Sequence, residues 1–250
     1  MSIQKLSIKF SVMSILVSFL VGCGGFTTHK VHYTLVEKQR VTPKKIVLLP
    51  IDVRVKEVSA GGSSEEVGEW SSTAKQHILG SVDRIVGKDN KFTIVKMPTL
   101  TQEETSKLEE HVALYERVYL SANFAASPIS GDAWKGKIKK FDYTLGNGLS
   151  FLKEKTDADA ALIFVGQDFV SSDGRKAAVF LAAMAGVSIP LGHSFLTAGI
   201  VDLNTGDVLW INYTFSAGNK DMRESNDVDD MVNEIIQNYP GIKSFKAAIQ

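Results

Sequence analysis

The chain has one cysteine, Cys23, in 250 residues. A disulfide within the chain is excluded, as is any metal or redox site needing two thiolates. An excess of one charge sign is also missing, because 28 Lys and Arg balance 28 Asp and Glu. Without a basic excess the chain lacks the electrostatic drive behind nucleic-acid binding, so none is expected, and no acidic or basic tail marks an ionic partner. Beyond residue 22 no apolar run reaches the roughly eighteen residues of a spanning helix. No Walker A loop, dinucleotide fingerprint, HExxH sequence or Gly-x-Ser-x-Gly elbow occurs, and no repeat of 20–50 residues.

What is present begins at the amino terminus. Lys5 and Lys9 precede an apolar run, Phe10 to Val21, that is too short to span a bilayer comfortably and ends at Leu20-Val21-Gly22-Cys23. This stretch resembles the lipobox of a bacterial lipoprotein precursor. The resemblance implies a signal peptide over residues 1–22, cleavage between Gly22 and Cys23, and acyl chains, palmitate among them, on Cys23. Two or three acyl chains hold a protein at a membrane where one would not. That covalent lipid is the only cofactor expected, and no metal is. Gly24 stands where many inner-membrane lipoproteins carry Asp, so the resemblance further implies the periplasmic face of an outer membrane. In a single-membrane organism the same signal would place the chain outside the plasma membrane.

Residues 23–44 are polar and mixed, with Gly24-Gly25 and Pro43 as breakers, and are read as the lipidated cysteine and a tether. About 20 residues would reach on the order of 70 Å fully extended. The alternation in Val31–Val36 is equally that of an edge strand. Residues 45–250 are expected to form one α/β domain, with α+β the neighbouring class: a mixed sheet of about five strands with helices packed on it.

The strands are read at Ile46–Ile51, Phe92–Val95, Ala160–Val165, Phe195–Val201 and Val208–Phe215. Arg54–Gly68, with Gly61-Gly62-Ser63-Ser64, is expected to be a mobile loop. Trp70, Ala74, Ile78, Val82 and Ile85 recur at helical spacing, and Gly87 is the expected stop. Thr101 and Glu104 form a capping box ahead of the Leu108–Tyr119 apolar face. Val228, Met231, Val232, Ile235 and Ile236 define a last helix.

Candidate chemistry is sparse. Asp202, Asn204 and Asp207 resemble the start of a calcium loop, but Tyr213 stands where the bidentate Glu belongs, so a hairpin turn is expected. His29 and His32 fall in the tether without a carboxylate or thiol partner in sequence. His193 and Ser194 are adjacent on a strand and should point to opposite faces, which argues against a nucleophile–base pair. An enzyme is therefore not the expectation. A hydrolase built on His193 and a distant carboxylate is the catalytic alternative.

The most unusual segment is Gly174-Arg175-Lys176 followed by the Ala- and Gly-rich run to Leu191. An apolar helix without a strong polar face is expected to be covered on all sides, here against the sheet. Arg175, Lys176, Ala178, Ala182, Ala185 and Gly186 would otherwise form an interface, through close helix–helix contact or basic contact with lipid headgroups.

Ile46–Pro50 and Ala158–Ile163 are similar to strands of small periplasmic α/β lipoprotein domains: the curli-secretion-channel lipoproteins, the peptidoglycan-synthase activators and the amino-terminal domain of the Tol translocation protein. The chain also resembles an uncharacterised bacterial lipoprotein family through Gly174–Ala178 and Gly192–Phe195. These resemblances imply no catalytic residues. They imply an anchored, non-catalytic binding or assembly module of the cell envelope, with a protein partner or a second copy of itself. A subunit of an oligomeric export or transport assembly is the alternative. The long alternating hairpins that a barrel needs are not found.

Overall fold

The structure is a computed structural model, and it describes residues 26–37, 41–89, 92–125 and 134–240. The predicted class is found: an α/β domain with, among the described residues, a mixed sheet of eight strands and seven α-helices. The strands are β1 (Phe26–Val31), β2 (Lys45–Leu48), β3 (Asp52–Val58), β4 (Ser64–Glu66), β5 (Thr93–Val95), β6 (Ala160–Ser171), β7 (His193–Asp202) and β8 (Val208–Ser216). The helices are α1 (Tyr33–Val36), α2 (Gly68–Asp89), α3 (Gln102–Leu120), α4 (Lys135–Lys139), α5 (Ser150–Thr156), α6 (Asp173–Met184) and α7 (Ser225–Ile236).

The sheet runs β1-β8-β7-β6-β2-β5, with β3 also on β6 and β4 on β3. β2 lies parallel to both β5 and β6, whereas β6, β7, β8 and β1 pair antiparallel in succession. Alternate residues of β6 therefore enter two different cores. Ala160, Leu162 and Phe164 join Ala74, Ile78 and Val82 of α2 and Val228, Val232 and Ile235 of α7. Ala161, Ile163 and Val165 join Leu108, Val112 and Tyr115 of α3 and Leu152 of α5. The result is a helix–sheet–helix sandwich, and a strand covered on both faces reads as the solid apolar run seen in sequence.

The eight strands exceed the expected five at three places. The run Ile46–Ile51 is not one strand: Pro50 has no N–H to donate, so β2 stops at Leu48 and β3 resumes at Asp52. Leu48 pairs with Leu162 and Asp52 with Val165, so four steps on one side match three on β6, a bulge that keeps both pieces on the same neighbour. Arg54–Gly68 is not a mobile loop. Lys56 pairs with Glu66 and Val58 with Ser64 in a β3–β4 hairpin, closed where Ser59 N–H donates to Ser63 O at 2.9 Å.

The third place is the expected tether. Phe26–Val31 is an edge strand, Phe26 opposite Phe215 and Val31 opposite Trp210, and the buried His32 accepts from Thr34 N–H at the start of α1. The sheet thus begins at Phe26, not near residue 45, and the free reach is correspondingly short. Gly22 and Cys23 lie outside the described residues.

Local signals were more faithful. Glu104 N–H donates to Thr101 Oγ1 at 3.2 Å and Thr101 N–H to Glu104 Oε2 at 2.7 Å, completing the capping box of α3. Asp202 Oδ1 accepts from Asn204 N–H at 2.8 Å and Thr205 N–H at 2.9 Å, so its carboxylate organises the β7–β8 turn. Gly87 does not end α2, which continues to Asp89.

Candidate functional site

At the carboxyl end of β6 the strand emerges from both cores, and a cleft of about 350 Å³ opens. Asp168 and Phe169 of β6, His193 of β7, Lys220, Asp221 and Arg223 of the loop before α7, and Lys176 of α6 line it. Its size falls at the small end of ligand pockets. Asp168 is 1% exposed and occupies the same face as Leu162 and Phe164, where an apolar residue would continue the pattern. Its Oδ2 accepts from Met222 N–H at 2.8 Å, fixing the loop to the strand. Burial pushes the Asp168 carboxyl up to about 7, and the nearby Asp221 charge adds to this; the Met222 and Phe169 N–H groups and Arg223 oppose it.

The other charges are committed to one another. Arg223 Nη2 donates to Asp221 Oδ2 at 2.6 Å while its guanidinium lies 4.4 Å from the centre of the Trp70 ring. Burial raises the Asp221 carboxyl, but the hydrogen bonds from Arg223 outweigh it and the net shift is downward. Lys220 Nζ bonds Asp230 Oδ2 at 2.5 Å and approaches Asp227 Oδ1 at 3.6 Å, and the Asp230 bond holds its ammonium above the usual lysine range.

His193 stacks on Phe169 with ring centroids 4.5 Å apart, and partial burial lowers its basicity. Ser194 points to the opposite face and its Oγ donates to Lys220 O at 3.3 Å. Ser171 Oγ donates to Leu191 O. Neither hydroxyl is aimed at the imidazole, and the carboxylates that share the cleft with His193 are Asp168, Asp221 and Asp227.

Above the cleft stands α6, and here burial fails as an expectation. Ser172 caps its start by accepting from Arg175 N–H at 3.2 Å. Its end is a Schellman closure, Val187 N–H to Ala182 O at 2.9 Å and Gly186 N–H to Ala183 O at 3.0 Å, with Gly186 at φ 81°. No residue of α6 is buried. Arg175, Val179 and Ala182 are half-buried on its inner side, whereas Lys176, Ala178, Ala185 and Gly186 are exposed. Phe180, Leu181 and Met184 are 65%, 64% and 74% exposed.

Uniform apolar composition predicts cover, but α6 lies in the connection between the antiparallel neighbours β6 and β7, and only its inner side is half-buried. The return to β7 is pinned by Arg175 Nη2 donating to Pro190 O at 3.3 Å. A side chain on Gly192 would meet Phe169 O at 2.1 Å, so only glycine admits the chain there.

Sequence reasoning had named Arg175, Lys176 and the small residues of α6, and the structure brings Lys176 and His193 to one cleft. It had missed Asp168, Asp221 and Arg223. Asp168 carried a readable signal, a carboxyl at a core-facing position of a strand with period two, while the others reach the site only through the packing of the loop before α7.

No protein-family model matches the chain and no curated protein matches it. The class is defined by the fold alone: a three-layer α/β domain around a mixed sheet. Among solved structures it is similar to the PelC dodecamer from Paraburkholderia phytofirmans, at 9% identity and a TM-score of 0.35 over 85% of this chain and 95% of that one. A single-substitution variant of that dodecamer gives the same score and identity over 96% of its chain. Overlap this low does not bear on what the chain does. No described helix is long and apolar enough to cross a membrane.

Proposed function

We propose that the chain is an acylated lipoprotein of the cell envelope, held at the periplasmic face of the outer membrane through Cys23. Its α/β domain is a non-catalytic binding or assembly module. The observation that carries the non-catalytic reading is the state of the cleft: Ser171, Asp168, Asp221, Arg223 and Lys220 each hold a bond that builds the fold. Such a surface presents fixed charges of both signs to a polar partner rather than a group poised for turnover. The lipobox-like Leu20–Cys23 supports the anchoring.

Cross-linking with mass spectrometry on envelopes of expressing cells, beside a Cys23→Ala control, tests the reading. The expected result is reproducible links from the cleft and the β3–β4 hairpin to a protein partner or a second copy, lost in the control. A membrane-bound chain with no specific links would overturn the assembly role.

A further inference from the structure

We propose that the outward side of α6 and its return strand, Phe180 to Leu191, is a membrane-seating surface that lies on the bilayer holding the lipid of Cys23. The inference rests on the anchoring proposed above and adds which part of the domain meets the bilayer. Twelve large apolar side chains are exposed among the described residues, and six of them fall in this one segment: Phe180, Leu181, Met184, Val187, Ile189 and Leu191. Concentration on a single projecting element separates this from the scattered apolar exposure of ordinary surfaces.

Topology supplies the occupant. Phe26 pairs with Phe215, Phe215 with Phe195, and Phe195 with Gln167, so the start of β1 lies at the sheet end where β6 leaves and β7 returns. α6 is the connection at that same end, rooted at Ser171 and His193. β1 and β6 are three strand pairings apart in the order β1-β8-β7-β6, roughly 14 Å at strand spacing. Cys23 precedes Phe26 by three residues, at most about 10 Å of chain. A lipid on Cys23 therefore holds this end of the sheet near the headgroups.

The charge pattern agrees. Asp173 at the start of α6 bonds Lys176 at 3.0 Å, the next acidic residue is Asp202, and Arg175 and Lys176 stand at the root of α6. Apolar side chains with cations at their root fit the boundary between acyl chains and anionic headgroups. The helix is too short to cross and lies in the interface instead.

The test uses the full acylated chain carrying Leu181→Cys, with Asn204→Cys as control. Asn204 lies in the β7–β8 turn beyond Asp202, at the opposite end of the ten-residue β7. Each thiol is labelled with an environment-sensitive fluorophore and the protein is placed in phosphatidylethanolamine–phosphatidylglycerol vesicles containing doxyl lipid. The label at 181 is expected to shift to the blue and lose most of its emission to the doxyl groups, while the label at 204 keeps a water-like spectrum. Water-like emission at both positions on vesicle-bound protein would overturn the seating. A blue shift at 181 without doxyl quenching would mean that a second copy covers the face, and would overturn it too. The mass of the Cys23 peptide reports the anchoring separately: an unmodified thiol removes the anchoring and with it this proposal, whereas an acylated Cys23 beside an unquenched 181 label removes only the seating.

Discussion

Replacing Asp168 by Asn should make the chain more stable at pH 8 and flatten part of its pH dependence. The carboxyl is about 1% exposed and is pushed up to about 7 from an ordinary 3.8, chiefly by burial. Between about pH 4 and pH 7 the folded chain keeps a proton that the unfolded chain has released, so stability falls as pH rises through that window and levels off above it. The full difference, 7 minus 3.8, corresponds to about 4 kcal/mol of stability lost by pH 8. An asparagine keeps an oxygen for Met222 N–H but brings two amide hydrogens that need acceptors, a cost of about 1–3 kcal/mol. The variant is thus expected to be at least about 1 kcal/mol more stable than wild type at pH 8 and no more stable at pH 4. Urea unfolding of both proteins from pH 4 to 8 checks this, because subtracting one curve from the other cancels the titrating groups that do not interact with Asp168. A difference that stays flat across the range, or a variant that is less stable at pH 8, would refute the account of Asp168 as a buried acid held against its charge.

Two further substitutions probe the packing. Thr101→Ala removes the acceptor for Glu104 N–H and dismantles the capping box, with an expected loss of about 1 kcal/mol in urea unfolding. Gly199→Ala would bring a methyl within 2.2 Å of the Tyr115 ring and disturb the 3.0 Å bond between Tyr115 Oη and Thr197 Oγ1. A loss of about 1–3 kcal/mol is expected, with Tyr115→Phe recovering little because the ring itself is in the way.

The fold was legible wherever a local rule controlled it. Period and composition located the five main strands, because a strand buried on both faces has to be apolar throughout, as Ala160–Val165 is. Thr101 with Glu104 and the Asp202–Asp207 turn were readable for the same kind of reason: their bonds close within a few residues. β1, β3 and β4 were not, since Phe26–Val31 is a strand only because β8 offers it an edge. Of the cleft, Lys176 and His193 were visible as residues but not as neighbours.

Two things followed from sequence alone: the α/β class, set by the alternation of apolar periods, and the exclusion of any chemistry needing two thiols, set by the single Cys23. Tertiary structure decided where Asp168 meets the loop before α7, how close Phe26 lies to the root of α6, and that an apolar helix stands uncovered. Composition states how much apolar surface a segment has. Whether that surface is covered depends on which elements the sheet order brings beside it, and α6, in the connection between β6 and β7, has none among the described residues on its outer side.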